Sequence, residues 1–114
     1  MIRVYAYEKC STCRKGLQFL AARGARAQVI PIRERPPTKA EIKRMLALVG
    51  LRKLFNTSGL DYKKMNLKAR LPALSEAEAI DLLSTNGNLV KRPFLLTSSG
   101  GAVGFNEEEW RKLV

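Results

Sequence analysis

The sequence contains no histidine. That absence excludes Ser/His/Asp and Cys/His catalysis, and it removes every zinc site that needs imidazole. Acidic residues are also few: 10 Asp and Glu stand against 21 Lys and Arg, for a formal charge of +11. Such a balance invites a nucleic-acid or acidic-partner reading. The basic residues are scattered, however, in blocks of no more than two and with little aromatic interleaving. This favours a solvated basic surface over direct nucleic-acid binding. No apolar run approaches the ~20 residues of a membrane span. The N-terminal segment lacks the apolar core of a signal peptide, so a cytoplasmic location without membrane contact is expected. Internal repeats, linkers and low-complexity stretches are absent as well.

What is present suits one globular domain over residues 1–114, with a hydrophobic fraction of 46%. Ile2 to Tyr7 reads as a strand. Cys10 or Ser11 can then cap a helix that carries Leu17, Phe19 and Leu20 and stops at Gly24. Gln28-Val29-Ile30-Pro31-Ile32 reads as a second strand, and its proline places part of it at an edge or an end. Thr38 with Glu41, and Ser75 with Glu78, match capping boxes for two helices in a mostly helical middle. Phe94–Thr97 and Ala102–Phe105 flank a Ser-Ser-Gly-Gly turn and form a hairpin, after which Asn106 caps a last helix. The expected fold is α/β: a thioredoxin- or glutaredoxin-like four-stranded mixed sheet with helices on both faces. A helical insertion over about residues 38–85 separates its βαβ and ββα halves. Val4, Tyr5, Leu17, Leu20, Val29, Ile42, Leu46, Leu83, Phe94, Leu95 and Val103 are the expected core.

The only two cysteines, Cys10 and Cys13, fall at the first strand-to-helix turn. Thiol–disulfide exchange needs a nucleophilic thiolate and a second thiol to resolve the mixed disulfide. Cys-x-x-Cys at a helix start supplies both within one turn. The first sulfur faces unpaired backbone donors and the positive helix end, so Cys10 is the candidate attacking thiol and Cys13 the resolving one. Arg14 and Lys15, with Lys9, add positive charge nearby. Two other readings remain: a metal site completed by carboxylates or a second subunit, and a pair of inert buried thiols. No resident cofactor or metal is expected. Arg92-Pro93 precedes the third strand, where redox folds of this type place a cis-proline against the cysteine turn. A strand-opening proline beside a solvated arginine fits equally. Arg92 would offer a guanidinium fork to an anion or sulfenate near Cys10.

Together, Cys10-Ser11-Thr12-Cys13-Arg14-Lys15, Glu41-Ile42-Lys43, Phe55-Asn56-Thr57-Ser58-Gly59, Lys91-Arg92-Pro93 and Gly104-Phe105-Asn106-Glu107 resemble the arsenate reductase (ArsC) and Spx family, over essentially the whole length. The Asn-Thr-Ser-Gly segment is most similar to its uncharacterised Cys-x-x-Cys branch. The resemblance implies a thioredoxin-like domain with a helical insertion. Reductases of the family use one cysteine and three arginines. Cys10 and Arg92 match the cysteine and one arginine, while Asn56 stands at the second arginine and Gly104 or Phe105 at the third. Losing two charge-assisted contacts, each worth about 1.5–3 kcal/mol, weakens a doubly charged oxyanion site. Spx-type regulators bind the RNA polymerase alpha subunit and use the cysteine pair as a switch. Three functions are therefore implied, in this order: a thiol–disulfide redox protein, a glutaredoxin-dependent arsenate reductase, and a redox-sensitive, polymerase-binding regulator. The implied site is Cys10, Cys13 and Arg92, supported by Arg14, Lys15, Pro93 and Asn56. Glutathione is the implied co-substrate, with glutathione, glutaredoxin or thioredoxin as reductant.

Overall fold

A computed structural model describes residues 1–114. Strand β1 (Ile2–Ala6) leads into helix α1 (Ser11–Ala22), and Gly24, at φ 67°, takes the left-handed conformation that ends it. Strand β2 (Ala27–Pro31) pairs with β1 in parallel, Val4 opposite Val29 and Ala6 opposite Pro31. Helices α2 (Lys39–Val49), α3 (Leu60–Lys64), α4 (Leu67–Arg70) and α5 (Glu76–Thr85) follow. Strands β3 (Phe94–Thr97) and β4 (Gly100–Val103) form an antiparallel hairpin, and α6 (Glu107–Leu113) closes the chain. β3 pairs antiparallel with β1, giving a mixed sheet of order β2-β1-β3-β4. This is the thioredoxin-like arrangement.

Local chemistry accounts for the element boundaries. Both capping boxes form: Thr38 and Ser75 accept from the N–H groups of Glu41 and Glu78, whose carboxylates accept from the cap N–H groups. Asn106 accepts from the N–H of Glu109 at the start of α6. The segment over residues 51–55 is shorter than its composition suggests, a single 3-10 turn at Arg52–Leu54. Asn66, at φ 51°, separates α3 from α4.

The sheet buries both faces, as alternation along its strands requires. Tyr5, Ile30, Phe94 and Leu96 pack against Ile42, Met45, Leu67, Ile80 and Leu83 from α2, α4 and α5. Val4, Ala6, Leu95 and Ala102 pack against Leu20 of α1 and Trp110 of α6. Gly16 permits that second layer to close, since a Cβ there would lie 2.7 Å from the Trp110 ring. Glu41 ties α2 to β1: Tyr5 donates its hydroxyl to Glu41 at 2.6 Å, and Arg3 donates to the same carboxylate at 2.7 Å.

Most expected core residues are buried, with Leu17, Leu46 and Val103 partly so. Val29 is a correction: it is 52% exposed. β2 is an edge strand, and Val29 lies at the open side of the sheet, lining a groove with Leu17 and Pro31. An apolar residue in a strand is buried only where the covering helix reaches it.

Candidate active site

After β1 the chain turns sharply, the Cys10 N–H donating to the Tyr7 carbonyl at 3.0 Å. Cys10 takes an extended backbone, φ −90° and ψ 119°, and becomes the N-cap of α1. Its Sγ accepts the Cys13 N–H at 3.4 Å, the role an oxygen plays at most helix caps. Cys10 is half-buried. One turn on, Cys13 is fully buried among Val4, Ala6, Leu20, Leu95, Ala102 and Trp110. Its Sγ accepts the Tyr7 N–H at 3.4 Å. Both are free thiols.

These surroundings separate the two acidities. Burial alone raises the pKa of Cys10, but donation from the Cys13 N–H, a hydrogen bond with the Cys13 side chain and the charge of Arg92 outweigh it and lower the pKa below that of an ordinary thiol. Burial pushes Cys13 the other way, up to about 12, reinforced by the neighbouring Cys10 sulfur and opposed by the Tyr7 N–H. The pair thus pairs an acidic outer thiol with a reluctant inner one.

The Arg92–Pro93 peptide bond is cis, and Pro93 is buried. The Pro93 ring lies 3.5 Å from where a Cβ on Gly16 would stand, so it packs on α1 one turn beyond the cysteines. Of the two sequence readings of this proline, the cis form is the one found. Arg92 is half-buried and stacks on Tyr7, its guanidinium carbon 4.9 Å from the ring centroid.

The insertion is stapled to the segment before Arg92. The Asn56 N–H donates to Leu89 at 2.8 Å, and the Lys91 N–H donates to Leu54 at 2.7 Å, with Phe55 and Val90 bridged between them. Asn56 therefore reaches the same cleft as Arg92. Its amide is committed internally, donating to the Asn88 carbonyl at 3.4 Å and accepting from the Ser58 hydroxyl at 3.3 Å. Arg14 and Lys15 are exposed on the first turn of α1, and the guanidinium whose charge lowers the Cys10 pKa is that of Arg92.

Tyr7, Arg33, Asp61 and Asn88 also line the cleft and escape sequence reasoning. Arg33 also stacks on Tyr7, at 4.8 Å, and donates to its hydroxyl at 2.9 Å. Asp61 accepts from the side-chain amides of Asn86 and Asn88 at 3.0 and 3.2 Å. A signal for Arg33 did exist. Parallel pairing sets Ala6 beside Pro31, so Tyr7, one residue past β1, and Arg33, two residues past β2, emerge together at the carboxyl ends where α/β sheets bind ligands. Asp61 and Asn88 carry no comparable signal, since the path of the insertion places them. Tyr7, Arg33, Asn56, Asp61, Asn88 and Arg92 line a polar cleft of about 260 Å³.

The ArsC family model matches residues 5–113. The chain belongs to the ArsC family. Among curated relatives, this ArsC-family chain is 41% identical over 110 residues to the uncharacterized protein YusI of Bacillus subtilis, covering 95% of this chain and 93% of YusI. It is 26% identical over 113 residues to the global transcriptional regulator Spx of Streptococcus mutans, covering 97% and 81%. Among solved structures, an ArsC-family-related protein of Bacteroides fragilis superposes with a TM-score of 0.92 at 41% identity, covering 99% and 97%. A Streptococcus mutans protein described as a possible arsenate reductase superposes at 0.86 with 38% identity, covering 93% and 92%.

Proposed function

We propose that this ArsC-family chain is a thiol–disulfide redox protein in which Cys10 attacks and Cys13 resolves. The observation that carries the reading is the opposite environment of the two sulfurs: Cys10 is the capped, partly accessible, acidified thiol, and Cys13 is enclosed one turn behind it. Cys10 thiolate attacks a substrate sulfur, forming a mixed disulfide and expelling the partner sulfur as a thiolate that takes up a proton. Cys13 then loses its proton, attacks Cys10 Sγ and releases the second substrate thiol. Two protein thiols become one disulfide as one substrate disulfide becomes two thiols. A thiol reductant of the glutathione, glutaredoxin or thioredoxin class restores the pair. Arg92 stabilises Cys10 as a thiolate and stands ready for an anion beside it.

A glutaredoxin-coupled arsenate reductase is the second reading, favoured by family membership and by the 38% identity to the Streptococcus mutans protein. The cleft argues against it at one place. Asn56, which the resemblance aligns with a reductase arginine, has its amide engaged by Asn88 and Ser58 and carries no charge. A redox-sensitive regulator contacting the RNA polymerase alpha subunit rests on the more distant likeness to Spx.

One experiment separates the three. Wild-type protein and Cys13→Ser are assayed with arsenate, glutathione and glutaredoxin, and the oxidised forms are weighed by intact mass spectrometry. The dithiol reading expects a reversible loss of two hydrogens in wild type only, with no arsenate turnover in either. Full arsenate turnover by Cys13→Ser would overturn it in favour of the reductase. Oxidation-dependent capture of the alpha subunit without any disulfide-reducing turnover would overturn it in favour of the regulator.

A further inference from the structure

The charged groups in the cleft that Tyr7 and Arg92 line are not paired with one another. The ion pairs of the chain are Arg3–Glu41, Lys39–Asp81 and Arg111–Glu107, and Arg33, Arg92 and Asp61 take part in none of them. Asp61 is fixed instead by the amides of Asn86 and Asn88, which with the nearby charges of Lys64 and Arg33 hold its carboxyl below the usual carboxylate range. Both amides bond the same oxygen, Oδ2, and leave Oδ1 free. Arg33 donates one nitrogen to the Tyr7 hydroxyl, and Arg92 stacks on the same ring without a hydrogen bond of its own. Guanidinium donors and a rigid carboxylate therefore share about 260 Å³ without an ion pair between them.

That arrangement complements a ligand bearing an ammonium and a carboxylate on one carbon. An isolated anion would meet Asp61 as a repulsive neighbour, and an isolated cation would meet two arginines. A zwitterion satisfies both signs. The cleft is too small for a folded partner and matches a single head group. Tyr7 joins it to the thiols, since its backbone contacts both Cys10 and Cys13 while its ring carries both arginines.

We infer that this cleft binds the α-amino-acid head group of a small disulfide, with the carboxylate on Arg33 and Arg92, the ammonium on Oδ1 of Asp61, and the sulfur turned to Cys10. The inference rests on the thiol–disulfide reading above and names its substrate class. Cystine or a γ-glutamyl disulfide carries this head group. In either case Cys10 forms a mixed disulfide with one half and expels the other as a thiol. Closure of Cys10–Cys13 then frees the second half, and an external thiol reductant resets the protein.

The test follows single-turnover oxidation of the fully reduced protein by quenched intact mass spectrometry. The oxidants are cystine, glutathione disulfide, cystamine, 3,3′-dithiodipropionate and the uncharged bis(2-hydroxyethyl) disulfide. Each rate is divided by that disulfide's own rate with dithiothreitol, which removes differences in intrinsic reactivity. Cystine or glutathione disulfide should exceed the uncharged disulfide by about tenfold, a difference of about 1.4 kcal/mol. Asp61→Asn and Arg33→Gln should each erase most of that preference. The preference should persist in high salt, because a net-neutral ligand gains little from the basic surface, whereas any advantage of dithiodipropionate should fade. Loss of preference with cystine identifies an amino-acid disulfide as the source, and loss with glutathione disulfide alone identifies a γ-glutamyl one. Equal corrected rates for all five, or a preference that survives both substitutions, would overturn the subsite while leaving the redox reading intact. Failure of even the uncharged disulfide to close Cys10–Cys13 would remove that reading first.

Discussion

At the scale of single residues, the two cysteines differ because one helical turn separates two solvents. Cys10 caps α1, where backbone donors lack helical partners, and Cys13 sits in the layer beneath. Limiting iodoacetamide at neutral pH should label Cys10 well before Cys13 in the reduced protein, read by peptide mass spectrometry. The pH at half-maximal labelling of Cys10 should fall below the ~8.5 of a free thiol. Arg92→Ala should slow the reaction only about two- to threefold, because the Cys13 N–H remains in place. Equal labelling of both cysteines would sink the assignment. This much was legible in the sequence, because Cys-x-x-Cys at a helix start is a local geometry. Arg33 was legible only through the parallel pairing of β1 with β2, and Asp61 was not, since the path of the insertion brings it to the cleft. Arg14 and Lys15 were read as supporting residues from closeness in sequence alone, and both are exposed on the first turn of α1.

At the scale of elements, capping chemistry set the helix boundaries and could be read directly, as Thr38, Ser75 and Asn106 demonstrate. Val29 was misjudged because alternation marks an apolar face without saying how far the covering helix extends. The joint between α2 and β1 was also silent in the sequence, although Glu41 serves there twice, as capping-box partner and as acceptor for Tyr5 and Arg3. Burial raises the pKa of Glu41, but the hydrogen bonds from Tyr5, Thr38 and Arg3 outweigh it and leave the pKa below the ordinary carboxylate value. Stability from that lowered pKa is therefore present above the unfolded value of ~4.3 and is lost as pH falls through the folded one. Glu41→Gln should cost about 1–2 kcal/mol at pH 7, allowing for solvent screening of the Arg3 contact. Urea titrations at successive pH values should show the gap between variant and wild type narrowing below pH ~4. A constant gap would mean that shape, rather than charge, holds the joint.

At the scale of the whole molecule, the thiol pair makes folding itself sensitive to pH. Cys10 has a lowered pKa in the folded state, so between that value and ~8.5 only the unfolded chain keeps its proton, and stability rises with pH. Cys13 is pushed up to about 12, so above ~8.5 the unfolded chain loses a proton that the folded one keeps, and stability falls. The reduced protein should therefore gain its largest contribution from this pair near pH ~8.5. Urea unfolding of the reduced wild type, minus that of a Cys10→Ala, Cys13→Ala variant across pH 6 to 10, should trace that maximum. A flat difference would show that neither thiol changes its acidity on folding.

The position of Pro31 has a consequence for crowded solutions. Ile32 donates its N–H to Ala6, so alternate peptide groups of β2 face β1, and those of Ala27, Val29 and residue 31 face outward. The proline thus occupies an outward position and deletes a donor from the sheet's open rim, next to the exposed Val29. A stray extended chain meets a broken row of donors beside that apolar surface, which protects the molecule from strand-by-strand growth into aggregates.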